Sequence, residues 1–314
     1  SKGRVGPGEI LAIDTQTGTI MDAEAVDDLL KQRQPYKQWL KENSVRIESR
    51  LQLQSLKKDQ PLTADELKAH QKLQLVSFEE RDQVLRPMAE AGQEATGSMG
   101  DDTPMAVLSQ RVRHVTDFFR QKFAQVTNPP IDPLREAIVM SLETCIGVEK
   151  NVFDEKPDHA ERIILTSPVI SPLKFHGLKN TGNAAFKDIS LSLTFKAEVG
   201  LKAAIEALVA EAEKQVRAGA VILILSDRQV AQGELVIPAA MATGAVHHNL
   251  VAKGLRCDSN IVVETGSARD AHHFAVLIGF GATAVYPWLA YDILEDMHRS
   301  NELLGDPLKS QQNF

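Results

Sequence analysis

Two polar triplets hold the groups in this sequence best placed for chemistry: Ser226-Asp227-Arg228 and Glu264-Thr265-Gly266. Each follows an apolar run, Ala220–Leu225 in the first case and Ile261–Val263 in the second, as expected of strands buried on both faces. Polar residues at the carboxyl ends of parallel strands face the ligand-binding rim of α/β folds. A site built there would use Asp227, Arg228, Glu264 and the nearby Arg269 for acid–base chemistry or phosphate binding. Any parallel fold must also turn to polar loops at these points, and Asp or Ser there can simply cap a helix. Position alone leaves the two readings even.

The other chemistry-bearing residues read more plainly. His247-His248 and His272-His273 invite a metal, but neighbours on a helix lie about 100° apart around its axis, so neither pair chelates from one face as an i, i+4 pair does. Hydrogen-bonded histidines on packed helices are the expectation. Gly97-Ser98-Met99-Gly100-Asp101-Asp102 lacks the Lys-Ser or Lys-Thr of a phosphate loop and the alternation of a calcium loop, and reads as a surface turn. Cys145 and Cys257 have no CxxC partner and read as buried thiols.

These groups sit on elements of two kinds. Residues 1–21 read as a small β unit with a turn at Thr15-Gln16-Thr17-Gly18. Residues 22–150 read as a mostly helical lobe. Asp22 caps a helix running through Val26, Leu29 and Leu30 towards Trp39. Thr63–Val76 has helical spacing, Ser77 with Glu80 forms a capping-box pattern, and Asp132-Pro133 opens a further helix. A helix over residues 113–125 would carry Phe118, Phe119 and Phe123 into the core. Residues 151–314 alternate strand and helix, with strands at Ile163–Leu165, Ile189–Phe195, Ala220–Leu225, Asn260–Glu264 and Thr283–Tyr286. Ser267 caps a helix with an apolar stripe of Ala271, Phe274, Ala275 and Ile278. The expected fold is therefore α/β: an incomplete or distorted TIM-like (β/α) barrel behind a mostly helical amino-terminal lobe. No glycine-rich dinucleotide fingerprint follows any strand.

Composition sets outer limits. A net charge of −7 with pI near 5.8 argues against a general nucleic-acid binder. No apolar run is long enough to span a bilayer, and two cysteines give no disulfide framework, so a cytoplasmic protein with no membrane partner is expected.

Several stretches resemble the central domain of the glutamate synthase large (alpha) subunit: GSMGDDTPMAVL from Gly97, FAQVTNPPIDPLREAIVM from Phe123, SDRQVAQGELVIP from Ser226, and Val246–Arg256 with Ile261–Ala290. The opening KGRVGPGEILAIDTQTGTIMD is similar to the tail of that family's amidotransferase domain. The resemblance implies an enzyme that converts glutamine and 2-oxoglutarate to two glutamates, with ammonia tunnelled between sites and electrons carried by FMN and a 3Fe-4S cluster. It implies as partners the amidotransferase, FMN-barrel and β-helix domains of the same polypeptide, and an electron-donating subunit or ferredoxin. Two cysteines cannot supply the three thiolates of the cluster, and Ser1 stands where the glutaminase would need its cysteine nucleophile. A connecting domain, inactive alone and without cofactor of its own, is the expectation. The rival is a self-standing barrel enzyme working through Asp227, Arg228, Glu264 and Arg269. The resemblance also implies an interdomain contact through Thr96, Ser98, Asp101, Asp102 and Thr103, near the ammonia path.

Overall fold

The computed structural model describes residues 3–48, 61–95, 100, 106–122, 132–179 and 181–314. They form two compact units, residues 1–44 with 150–162 and residues 45–149 with 163–314.

In the first unit β1 (Ala12–Asp14) and β2 (Thr19–Met21) pair antiparallel, with Ile13 opposite Ile20. The Asp14 carboxylate accepts the backbone N–H of Gln16, and Gly18 takes the left-handed conformation that closes the turn. Asp22 caps Ala23–Gln32 by accepting from Ala25 N. The single helix expected to reach Trp39 is instead two, Ala23–Gln32 and Tyr36–Asn43. Pro35 lies between them; it has no N–H to donate and biases the residue before it away from helix.

The second unit is built on a parallel sheet. Its strands are β6 (Asp188–Ser192), β8 (Ile222–Ser226), β10 (Asn260–Glu264) and β11 (Ala284–Tyr286), in the order β11-β10-β8-β6. Alternate residues face two different cores. Ile222, Ile224, Val262 and Ala284 pack with Trp288, Ile293, Leu294 and Met297. Leu223, Leu225, Ile261, Val263 and Val285 pack with the helices Leu201–Arg217, Ala239–Ala252 and Ala271–Gly279. Both faces are dry, which is why these strands read as continuous apolar runs.

The remaining strands lie elsewhere. The stretch expected to join the parallel sheet at Ile163–Leu165 is part of β5 (Arg162–Leu165), which pairs antiparallel with β4 (Thr144–Ile146). A few residues later Val169 makes a parallel bridge to Val285, supported by Ile170 N to Val285 O at 2.9 Å and Val285 N to Pro168 O at 2.7 Å. A short apolar run cannot reveal which of two adjacent segments will find the sheet edge. The expected strand Ile189–Phe195 is likewise split: β6 stays in the sheet, and β7 (Thr194–Lys196) turns to pair antiparallel with β9 (Glu234–Val236).

Three further expectations are corrected. Residues 113–122 do not form a long helix; Val115–Phe118 is one 3-10 turn, and Phe118 is exposed. The β-branched Val115 and Thr116 resist helix propagation, and Phe119 leaves the turn extended to meet Phe280 edge-on at 5.1 Å. Phe123 lies outside the described residues. Asp270, not Ser267, caps Ala271–Gly279, and its buried face is His273, Phe274, Val276 and Leu277, while Ile278 is exposed. Cys145 and Cys257 are exposed rather than buried.

Candidate functional site at the strand ends

Sheet register aligns Ser192, Ser226, Glu264 and Tyr286 in one row at the carboxyl edge. Asp227 comes one residue past that row and is 1% exposed. Its backbone continues the ladder, Asp227 N donating to Glu264 O at 3.1 Å, which turns the carboxylate inward.

Every approach to that carboxylate is taken by a protein donor. Trp288 Nε1 donates to Oδ1 at 2.8 Å, and Thr265 Oγ1 donates to Oδ2 at 2.5 Å. Gly266 N–H lies 2.9 Å from Oδ1 and 3.2 Å from Oδ2, and Gln74 Nε2 donates to Oδ2 at 3.3 Å. Burial pushes the Asp227 carboxyl above its ordinary range, while the donors from Thr265, Trp288 and Gly266 pull it back towards the charged form. An unpaired buried carboxylate would cost several kcal/mol, roughly the amount such hydrogen bonds must offset. The arrangement is closed upon itself. It offers no lone pair to a substrate proton.

Arg228 is held as firmly. Its Nη1 donates to Tyr286 Oη at 3.3 Å, Nη2 lies 3.6 Å from Asp292, and its guanidinium packs over the Trp288 ring at 5.0 Å. Glu264, also buried and also pushed up chiefly by burial, is 4.0 Å from Arg228. The His70 ring meets the Trp288 ring in a T-shaped contact, centroids 4.9 Å apart. The structure thus gathers three of the four expected groups, Asp227, Arg228 and Glu264, at one place. Arg269 is directed away: its Nε and Nη2 bind Glu80 at 2.5 and 3.2 Å, and Nη1 donates to Gly266 O at 2.7 Å. Glu80 is the residue whose carboxylate the capping-box pattern assigned to its own helix; Ser77 still accepts from Glu80 N.

Trp288 and Gln74 complete the rim and were not foreseen. Trp288 follows β11 as Asp227 follows β8, so the strand-end argument could have found it. Gln74, 153 positions from its partner, gives no local signal. Three of the four paired histidines are hydrogen-bonded: His247 Nδ1 accepts from Arg256 Nε at 3.0 Å, His272 Nε2 lies 3.0 Å from Thr116 O, and His273 Nδ1 accepts from Arg269 N, while His248 meets the His247 ring edge-on. Thr96, Ser98, Asp101, Asp102 and Thr103 lie outside the described residues.

A family model for the glutamate synthase central domain matches residues 69–314, and one for class-II glutamine amidotransferases matches residues 1–39. The chain belongs to the glutamate synthase central-domain family. It is 39% identical over its whole length to the glutamate synthase [NADPH] large chain of Azospirillum brasilense, covering 21% of that protein. It is 38% identical over 97% of its length to the chloroplastic ferredoxin-dependent glutamate synthase of Oryza sativa, covering 19% of it. Over 92% of its length it is 37% identical to the glutamate synthase [NADPH] large chain of Bacillus subtilis. The chain spans about a fifth of the length of these relatives.

The cofactors that this family implies do not fit the residues of this glutamate synthase domain. A three-iron cluster needs three thiolates, and the two cysteines lie on separate elements, one in β4 and one in the 3-10 turn Arg256–Asp258. At the strand ends, where a phosphate-bearing cofactor would sit, the Gly266 N–H is spent on Asp227 and Arg228 is spent on Tyr286 and Asp292. Among the described residues no helix is long and apolar enough to cross a membrane.

Proposed function

We propose that this chain is the connecting domain of a glutamate synthase, holding the amidotransferase and FMN-bearing domains of the same polypeptide in register without a reacting centre of its own. The observation that carries the reading is the rim: where parallel α/β folds present groups to a ligand, Asp227 is saturated by Trp288, Thr265, Gly266 and Gln74. We read the second unit as the remnant of a barrel. The Val169–Val285 bridge sets the first parallel segment in the chain beside the last strand, as closure of a barrel does.

In this reading FMN and the 3Fe-4S cluster belong to other domains, the whole enzyme works in the cytoplasm, and electrons reach it from a partner subunit or ferredoxin. Thr96, Ser98, Asp101, Asp102 and Thr103 make the interdomain contact near the ammonia path. The test is to assay the chain for glutamine hydrolysis, and for glutamate formation from ammonia, 2-oxoglutarate and a reductant. No turnover is expected, and turnover of either kind overturns the proposal. For the loop, replacing Asp101 and Asp102 with alanine in the complete enzyme should loosen the ratio of glutamine hydrolysed to glutamate formed; an unchanged ratio makes it an ordinary turn.

A further inference from the structure

A cavity of about 390 Å³ lies apart from the strand-end rim, lined by Glu80, Arg111, His114, Asp117, Arg269 and His273 among others. Its floor is the start of the helix Ala271–Gly279, and its other wall is the strap 111–117. The strap is moored there by His272 Nε2 against Thr116 O at 3.0 Å and by the His114 ring against the His273 ring at 5.4 Å.

The wall groups sort into those already committed and those left over. Arg269 is bound to Glu80 and to Gly266 O. His273 Nδ1 accepts the Arg269 backbone N–H at 3.2 Å, so its proton resides on Nε2. Its 3.1 Å approach to Asp270 is therefore no ion pair, because burial and the Arg269 charge hold His273 neutral, well below its usual range. Burial likewise brings His114 down to about 4, and its Nδ1 is engaged with Thr116 Oγ1 at 2.6 Å. Arg111 and Asp117 remain. Neither side chain makes a hydrogen bond or ion pair among the described residues, although both line the same cavity.

Arg113, which has a partner of its own, and Asp270, whose carboxylate accepts from His273 N at 2.8 Å, also line the space, so three arginines face three carboxylates and the fixed charges sum to zero. A simple anion would leave Asp117 facing it, and a simple cation would leave Arg111. We propose that the cavity binds a small zwitterion, with its carboxylate on Arg111 and the His273 Nε2–H and its ammonium on Asp117. The volume suits a ligand of amino-acid size; ordinary ligand pockets start at roughly 300 Å³. The neutral imidazoles of His114 and His273, which line the same cavity, add hydrogen-bonding groups without adding charge.

The experiment is calorimetric titration of the 314-residue chain with glycine, β-alanine and γ-aminobutyrate, which separate the two charges by increasing distances. Acetate and methylammonium serve as single-charge controls. At least one zwitterion should bind saturably and roughly tenfold more tightly than either control, and Arg111→Gln and Asp117→Asn should each weaken it about tenfold, as loss of one charge-assisted hydrogen bond does. The imidazole NMR signals of His114 and His273 in the unaltered chain should move with the same saturation, a readout that needs no variant. The proposal is overturned by no saturable binding of any zwitterion, by acetate binding as well as the best zwitterion, by unchanged affinity in both variants, or by stationary imidazole signals.

Discussion

The strand-end rim around Asp227 and the cavity between His114 and His273 are made from the same kinds of residue, yet they treat charge in opposite ways. At the rim a carboxylate sits in dry protein and is met by donors from Gln74, Thr265, Gly266 and Trp288. At the cavity the one deeply buried charge, Arg269, is likewise met by Glu80, but the imidazoles of His114 and His273 are kept neutral by burial, and Arg111 and Asp117 keep access to solvent. Burial therefore demands closure wherever a charge is kept, as at Asp227 and Arg269, and neutrality where it is not, as at the two imidazoles. A strand-end carboxylate is not by itself a catalytic one. What surrounds it decides.

The largest expected effect breaks the rim. Asp227→Ala would leave the Trp288, Thr265 and Gly266 donors buried without an acceptor, at a cost of about 4 kcal/mol in denaturant titrations. A loss under about 1 kcal/mol would mean that the rim is not held by this carboxylate.

Acid sharpens the contrast next. His114 has a folded value of about 4 against an ordinary 6.5, so the folded state binds fewer protons as pH falls between them. Stability should therefore drop on acidification through that window, by up to about 3 kcal/mol from this group, and His273 acts in the same direction. Asp227 and Glu264 act oppositely: burial raises them, so the folded state holds their protons more tightly and gains stability in acid that is lost as pH rises through the carboxylate range. Denaturation midpoints taken across the window should fall steeply for the parent chain and less steeply for His114→Gln. Parallel curves would remove His114 as a cause.

Arg269→Met tests the link between the two regions, because Arg269 lines the cavity and also holds the rim loop through Gly266 O. Glu80 keeps some access to solvent, so a loss of about 2 kcal/mol is expected, less than for a fully buried ion. The smallest effect belongs to the cavity mouth: Arg111→Gln and Asp117→Asn should change stability by no more than about 0.5 kcal/mol, since neither group is tied down. A larger thermal shift in either variant would show that these charges support the fold.

Parts of this architecture were legible one residue at a time. Asp22, Ser77 and Asp132 each cap the helix they precede, because a cap needs only a side-chain oxygen within a few residues of the free N–H groups. The buried strands β8 and β10 were legible because a strand covered on both faces has no polar position to alternate. The helix expected from residue 113 does not form over residues 113–122, where contact with Phe280 takes Phe119 and leaves Phe118 outside.

The sequence by itself determined the capped helix starts at Asp22, Ser77 and Asp132, the apolar strands β8 and β10, the polar triplets at their ends and the family. Tertiary structure alone decided what those triplets do. Asp227 and its partners Gln74, Thr265 and Trp288 come from separate elements, and the Glu80 carboxylate is drawn from its own helix end to Arg269, 189 positions away. Local propensity reaches a few residues along the chain, while a buried charge is answered by whichever donors the fold brings within hydrogen-bond distance. The chemistry of the rim is therefore a property of the packing, and no single segment carries it.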